Sequence, residues 1–571
     1  MVQYKISYEN PQERFLQIEC LFEELQDTFL EVHLPAWRPG RYELQNYAKN
    51  VHHFKATSPQ GTPLEVRKTN KNTWKIATKG EQKICISYAY YAFQLDAGGS
   101  WLCDTQVYIN PINCLVYAKE KINEKCTLEL IVPENYEIAC GLPKESKFKL
   151  KAENYHHLVD SPLIASATLR HSTYQVADIP FHIWIQGDWQ PDWSILLTDF
   201  EKFTKWQIDV FGEFPEQEYH FLCQILPQKF YHGVEHRNST VICFGPSERM
   251  NDEDSYKEFL SICSHELFHA WNACKIRPKE LMPYDYSQEI YFPTGFVVEG
   301  ITTYYGELAL VRAGVWKYQQ FLIEINTILK RHFENFGRYQ SSLIDASQNL
   351  WLDGYSKSND SPSRSVSIYQ KGAIVAMILD LEIRLKTQNQ KSLDNVMRKL
   401  WTDFGKTGKG YSLQDYKQVC EDIAQTSLEN YFANCIEGTT DLADIVADLC
   451  PHFAMNLVVH HHNKGSEMFG FQTIQKNGST IVSLIEPNSN ASKVLSLQDE
   501  VIAVDDRKVE NNLNELIADK QTVILTIFRQ RKLYHVVLSV NRESYLKKYS
   551  LHIDSNANSK QMENLVAWLG E

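Results

Sequence analysis

Over the first 170 residues, short runs alternate apolar β-formers with polar residues: YKISY, RFLQIEC, FLEVHL, NTWKIA, KICISYAYYAF, CTLELIVP and SATLRHSTYQVA. Turn-forming residues separate them, so the pattern predicts an antiparallel β domain over 1–170. Within it, the stretch LPAWRPGRYELQNYAKNV (34–51) sets two prolines and a glycine around Trp37 and Arg38. Such chemistry predicts an ordered loop rather than a strand. Beyond 171 the period changes. Strand-like FHIWIQG, YHFLCQILP and STVICFG give way to SYKEFLSICSHELFHAWNACK, VVEGITTYYGELALVRAG, VWKYQQFLIEINTILKRHFENF and IYQKGAIVAMILDLEIRL, whose apolar residues recur at three- and four-residue spacing. Strands followed by helices predict an α+β domain over 171–450, mainly helical in its second half. After Pro451 strand patterns return (MNLVVHHH, STIVSLIE, DEVIAVDD, TVILTIFRQ, KLYHVVLSV), giving a β module over 455–545 and a C-terminal tail over 546–571. The chain therefore reads as a multidomain α+β protein without internal repeats or low-complexity linkers.

Composition narrows the function classes. Of 571 residues, 71 are acidic and 58 basic, a formal net charge of −13, so no broad basic face is expected to recruit nucleic acid or anionic lipid. The N-terminus meets Glu9, Glu13 and Arg14 before an apolar run of signal-peptide length. The longest apolar stretch, from Gly372, is interrupted by Asp380, Glu382 and Arg384, well short of the ~20 residues a membrane span requires. Thirteen scattered cysteines, none in a C-x-x-C pair, argue against a disulfide framework or a thiolate zinc site and make a reducing cytoplasm the expected location.

The chemistry concentrates at His265-Glu266-Leu267-Phe268-His269, an HExxH motif. Phe259, Leu260, Ile262, Leu267, Phe268 and Trp271 make the surrounding segment a largely buried helix. Histidines four residues apart then lie one turn apart on one face, where both imidazoles reach a single Zn²⁺ and Glu266 projects toward a water position. A third ligand is sought downstream. Glu299, in Gly295-Phe-Val-Val-Glu299-Gly300, lies 30 residues after His269 at the front of an apolar-periodic helix. A glutamate opening a helix is also what the macrodipole favours. Asp285 and Glu289 are nearer in sequence and read as solvated loop residues.

HELFHAWN, the downstream EGxTxYYG and Tyr231-His-Gly-Val-Glu235-His236-Arg-Asn238-Ser239 together resemble the PDZ-containing glycyl aminopeptidases, gluzincin zinc metallopeptidases distantly similar to aminopeptidase N. The resemblance spans essentially the whole chain: LPAWRPGRY looks like that family's N-terminal β domain, and the C-terminal module stands where the family carries a PDZ domain. It implies a thermolysin-like catalytic domain with one Zn²⁺ held by His265, His269 and Glu299. Glu266 is then the general base and later the general acid. Ile368-Tyr369-Gln370-Lys371-Gly372 is similar to the Tyr-x-Lys-Gly segment whose tyrosine bonds the developing oxyanion, which implies that role for Tyr369; Tyr304 and Tyr305 are alternatives. Gly233-Val234-Glu235-His236 resembles the strand beside the substrate, implying that Glu235 holds the peptide's α-ammonium. An edge-strand glutamate paired with Arg237 is the plainer reading. His232-Gly233 replaces the family's Gly-Gly.

The implied activity is removal of small N-terminal residues, Gly or Ala, from peptides. Broader metallopeptidase specificity, and a peptide-binding scaffold with a silent catalytic domain, are the alternatives. Met468-Phe469-Gly470-Phe471 resembles the loop with which PDZ domains bind a peptide C-terminus, but Gln498 stands where a glycine usually precedes the aspartate. The run His460-His461-His462 reads as a polar strand end.

Overall fold

The computed structural model describes residues 1–355, 358, 360–461, 465–540 and 547–570. His462 lies outside them. The N-terminal β-rich part builds a seven-stranded sheet, a three-stranded sheet (Phe29–His33, Thr73–Ala77, Val66–Asn70) and a four-stranded sheet around one core. Its strands are not all antiparallel as the alternation predicts: Val2–Ser7 pairs parallel with Cys126–Leu130. A parallel neighbour needs a long connection, and more than a hundred residues intervene, which no local pattern signals.

The next part is α+β. Its mixed sheet runs in the order Arg170–Val176, Ile179–Gly187, Tyr219–Ile225, Ser239–Gly245, Phe230–His236. The last of these is an edge strand, antiparallel to its neighbour, and it lies beside the helix Glu253–Phe268. That helix opens with Glu253 and Asp254 in its first turn, where the macrodipole favours negative charge. The predicted helical run continued to residue 275. Instead the α-helix stops at Phe268 and tightens into a turn. Asn272, fully buried, sends its side-chain amide to the carbonyls of Val297 and Val298 and to Thr302 Oγ1 at 2.9, 3.1 and 3.0 Å. These bonds anchor the helix end to the segment bearing Glu299 and turn the chain there, with Ala273 at φ +104°.

Glu299 sits in a π-helical turn, Phe296–Gly300, that leads directly into the helix Ile301–Arg312. Such single wide turns re-aim side chains within a helix. Gly300 meets Gly372 of the helix Gln370–Lys386: a Cβ on Gly300 would lie 2.4 Å from Gly372 Cα. The two helices can approach this closely only because both positions lack side chains, and the contact brings the start of the second helix, next to Tyr369, beside the turn that bears Glu299.

The C-terminal β module has its own core, with Phe469, Phe471, Val482, Leu525 and Ile527 buried. It is flanked by the antiparallel pair Met455–His461 and Lys547–Ile553. The segment beyond 546 is no loose tail: it forms that second strand and the helix Ser559–Leu569. Trp568 is fully buried in the core of the helical region, its indole N–H donating to Tyr304 Oη at 2.7 Å. Arg312 Nε and Arg384 Nη1 donate to the carbonyls of Trp568 and Ala567.

Candidate active site

The motif helix presents His265 and His269 one turn apart, with their Nε2 atoms 3.1 Å from each other. Glu299 Oε2 lies 3.5 Å from His269 Nε2. The donor atoms of His265, His269 and Glu299 all fall within 4.8 Å of one another. His269 Nδ1 is 2.8 Å from the carbonyl of Asn272, an oxygen that can only accept. Nδ1 therefore carries a proton, and Nε2 is the nitrogen turned to the centre of the cluster, available to a metal when the ring is neutral. Tyr42 Oη donates to Glu299 Oε1 at 3.0 Å, leaving Oε2 directed at the histidines.

This donor set fits zinc. Tetrahedral bonds of about 2.0–2.1 Å place neighbouring donors roughly 3.3 Å apart, close to the spacings found. The electrostatics agree. Glu235, Glu266, His269 and Glu299 are all buried. Burial, reinforced by the charge of Glu299, pushes Glu235 up to about 7. Burial and the charges of Glu235 and Glu299 push Glu266 up to about 8. Burial disfavours charge on His269, yet the carboxylates of Glu235, Glu299 and Glu266 outweigh it and drive the imidazole up to about 10. Burial and then His269 hold His265 well below the usual histidine value. Three carboxylates out of water need a positive partner.

Around this cluster the structure places the other predicted residues. Glu266 packs under the edge strand, Oε2 3.5 Å from Thr240 Oγ1. A Cβ on Gly233 would lie 2.1 Å from Glu266 Oε1, so only glycine lets the strand lie over that carboxylate. Substituting Gly233→Ala is expected to displace Glu266 and to lower turnover at this site by about 10²-fold; unchanged steady-state kinetics would show that Glu266 does not depend on this contact.

Glu235 shares a 4.8 Å cluster with Glu266 and His269. It is not paired with Arg237, whose Nε and Nη1 go instead to Glu216 and Glu153 at 2.9 and 3.1 Å. Tyr369 immediately precedes the helix Gln370–Lys386 and lines a cavity of about 640 Å³ together with Tyr355. Burial first, then the charge of Glu299 and a hydrogen bond to Tyr355, keep its phenol well above the ordinary tyrosine value, so it remains a donor. Tyr304 and Tyr305 turn elsewhere, to Asp380 and Asp394 at 2.8 and 2.7 Å. Asp285 stays in its loop, its Oδ1 accepting from the backbone and hydroxyl of Ser287.

Sequence reasoning missed the contribution of the N-terminal part. The loop around Trp37 reaches across: Trp37 Nε1 donates to the Asp285 carbonyl at 2.6 Å, and its ring packs edge-on to Tyr284 and Trp351. Gly40, at φ +75°, presses on Glu235; a Cβ there would lie 2.5 Å from Glu235 Oε2. Tyr355 Oη donates to the Gly40 carbonyl at 3.2 Å. The proline- and glycine-rich chemistry of 34–51 signalled order in this loop, though not what it touches.

The Peptidase M61 N-terminal domain matches residues 3–167, and the M61 glycyl aminopeptidase domain matches residues 258–375. No curated protein sequence matches the chain. Among solved structures, an aminopeptidase N family protein from Idiomarina loihiensis is 25% identical, with a TM-score of 0.90 and 100% of both chains covered. An M1 zinc metallopeptidase from Deinococcus radiodurans is 13% identical, with a TM-score of 0.47, covering 77% of this chain and 94% of that one.

Proposed function

On the premise that the chain belongs to the M61 peptidases and is a zinc metallo-aminopeptidase, we propose that it removes small N-terminal residues, Gly or Ala, from peptides. One zinc per chain would be held by His265, His269 and Glu299. When bound, the ion supplies Lewis acidity toward a carbonyl oxygen and makes a water proton easier to remove near neutral pH. Glu266 accepts that proton and passes it to the leaving amine, acting first as base and then as acid. Glu235 binds the substrate's α-ammonium, so that the first peptide bond is the one within reach. Tyr369 donates its hydroxyl proton to the oxyanion, a bond that strengthens as negative charge develops. Tyr355 positions Tyr369, and Tyr42 orients Glu299.

The observation that carries this reading is the convergence of two imidazole nitrogens and a carboxylate oxygen at one point, with two further buried carboxylates beside it. Thirteen free cysteines support a cytoplasmic location. In the C-terminal module, a PDZ-like role is supported by the strand Phe471–Lys476, which lies at the edge of its sheet. Its free side can take up a peptide by β-augmentation.

The test is zinc content measured together with hydrolysis of Gly-, Ala- and Leu-p-nitroanilide before and after chelation. About one zinc per chain, with chelator-sensitive cleavage favouring Gly or Ala, is expected. Leu turnover equal to Gly would replace the small-residue preference with broad specificity. Zinc without turnover of any of the three would favour a binding role.

A further inference from the structure

A cavity of about 590 Å³ lies outside the catalytic cluster, at the seam between the N-terminal β part and the loop that follows the motif helix. The peptidase reading assigns it nothing. It is one wall away from the site: the backbone N–H of Cys274, on its lining, donates to the His269 carbonyl at 3.2 Å, and His236, also on its lining, adjoins Glu235. Its volume suits a small molecule.

Four cationic side chains border it, and two of them are already neutralised. Arg237 is paired with Glu216 and Glu153, and Lys275 with Glu216. Asp160, the carboxylate on the lining, accepts from His236 Nδ1 at 2.9 Å and from the Arg237 backbone N–H at 3.1 Å. Arg38 and Arg277 differ: among the described residues neither makes a direct ion pair with a carboxylate, the charge of Asp160 reaching Arg277 only through space. Arg38 is 2% exposed and bonds only neutral groups, Nη1 to Asn110 Oδ1 at 3.0 Å and Nη2 to His236 Nε2 at 3.1 Å. Arg277 lies 4.1 Å over the Tyr284 ring, with Nε and Nη2 given to the carbonyls of Ala273 and Cys274. No hydrogen bond engages its Nη1 among the described residues, and the residue lines the cavity. The cavity histidines register this field. Burial and then Arg277 lower His156; burial and then Arg237 lower His157. The remaining wall is apolar, formed by Ile112, Val159, Met282, Pro283, Tyr284 and Tyr286.

We propose that this cavity binds a small organic carboxylate, its anionic end on the Nη1 edge of Arg277 beside Arg38 and its apolar body against the tyrosine wall. A planar guanidinium with a free edge matches a carboxylate, and the pairing is stronger than a neutral hydrogen bond.

The test titrates the zinc-loaded full chain with N-acetylphenylalanine, with its uncharged amide and with inorganic phosphate; the acetyl group removes the ammonium that Glu235 would hold. The acid is expected to bind at least about tenfold more tightly than the amide and to raise the pKa values of His156 and His157 followed by NMR. Arg277→Gln is expected to weaken the acid by a similar factor while Gly-p-nitroanilide hydrolysis is unchanged, and Arg277→Lys to recover part of the binding. Equal binding of acid and amide, no binding of the acid, or competitive inhibition of anilide hydrolysis that Arg277→Gln leaves unaltered would each overturn the proposal. Phosphate binding as tightly as the acid would overturn the organic-carboxylate assignment. The acid-to-amide ratio and the histidine shifts are read on the unsubstituted protein, so the result does not depend on the variants folding.

Discussion

Glu266→Gln is expected to lower kcat/KM for Gly-p-nitroanilide by about 10²–10⁴-fold, the usual worth of a positioned general acid–base group, while zinc content stays at the unsubstituted level. Glutamine keeps the size of the side chain that fills the space under Gly233 and beside Thr240, and Glu266 is not one of the three converging donors. What is lost is the ability to take a proton. A parallel fall in zinc content would mean that the carboxylate is needed for the electrostatics of the cluster instead. Unchanged activity would remove Glu266 from the mechanism and direct attention to Glu235, which shares its surroundings and whose carboxyl is likewise pushed up by burial.

Trp568→Ala is the second large effect, expected to destabilise the protein by about 3–5 kcal/mol, as for other large-to-small core substitutions. The indole is fully buried, packs edge-on to Phe321 and Phe453, and donates to Tyr304. Tyr304 belongs to the helix that follows Glu299 directly, and its hydroxyl also holds Asp380. Loss of the indole therefore leaves a cavity behind the element bearing a proposed zinc ligand. Urea denaturation, followed by both activity and zinc release, measures the cost. A shift below about 1 kcal/mol, the worth of an ordinary hydrogen bond, would show that the C-terminal helix contributes little to the catalytic domain. Trp568→Phe retains most of the volume and is expected to lie between the two.

Much of the candidate site was legible because it is local. Two histidines four residues apart on an apolar helix must share a face, and the glycine and proline content of 34–51 must interrupt strand pairing. Glu299 was legible as a carboxylate opening the next helix, although its π-helical turn was not, since a wide turn leaves no composition signal. The end of the motif helix was misjudged for a related reason: its apolar period continues through Trp271, but the bonds from Asn272 to Val297, Val298 and Thr302 stop it, and these partners lie 25 to 30 residues ahead.

By itself the amino-acid sequence determined the order of β, α+β and β parts, the helical placement of His265 and His269, and the supply of carboxylates nearby. These depend on periodicity and on turn chemistry within a few residues. Only the tertiary structure decided that Tyr42 would orient Glu299 across 257 positions, that Arg237 would turn from Glu235 to Glu216 and Glu153, and that Trp568 would return across 264 positions to brace Tyr304. Each joins residues whose encounter depends on how whole layers pack. Side-chain choices of that kind are settled by burial and competing hydrogen bonds, and no spacing along the chain records them.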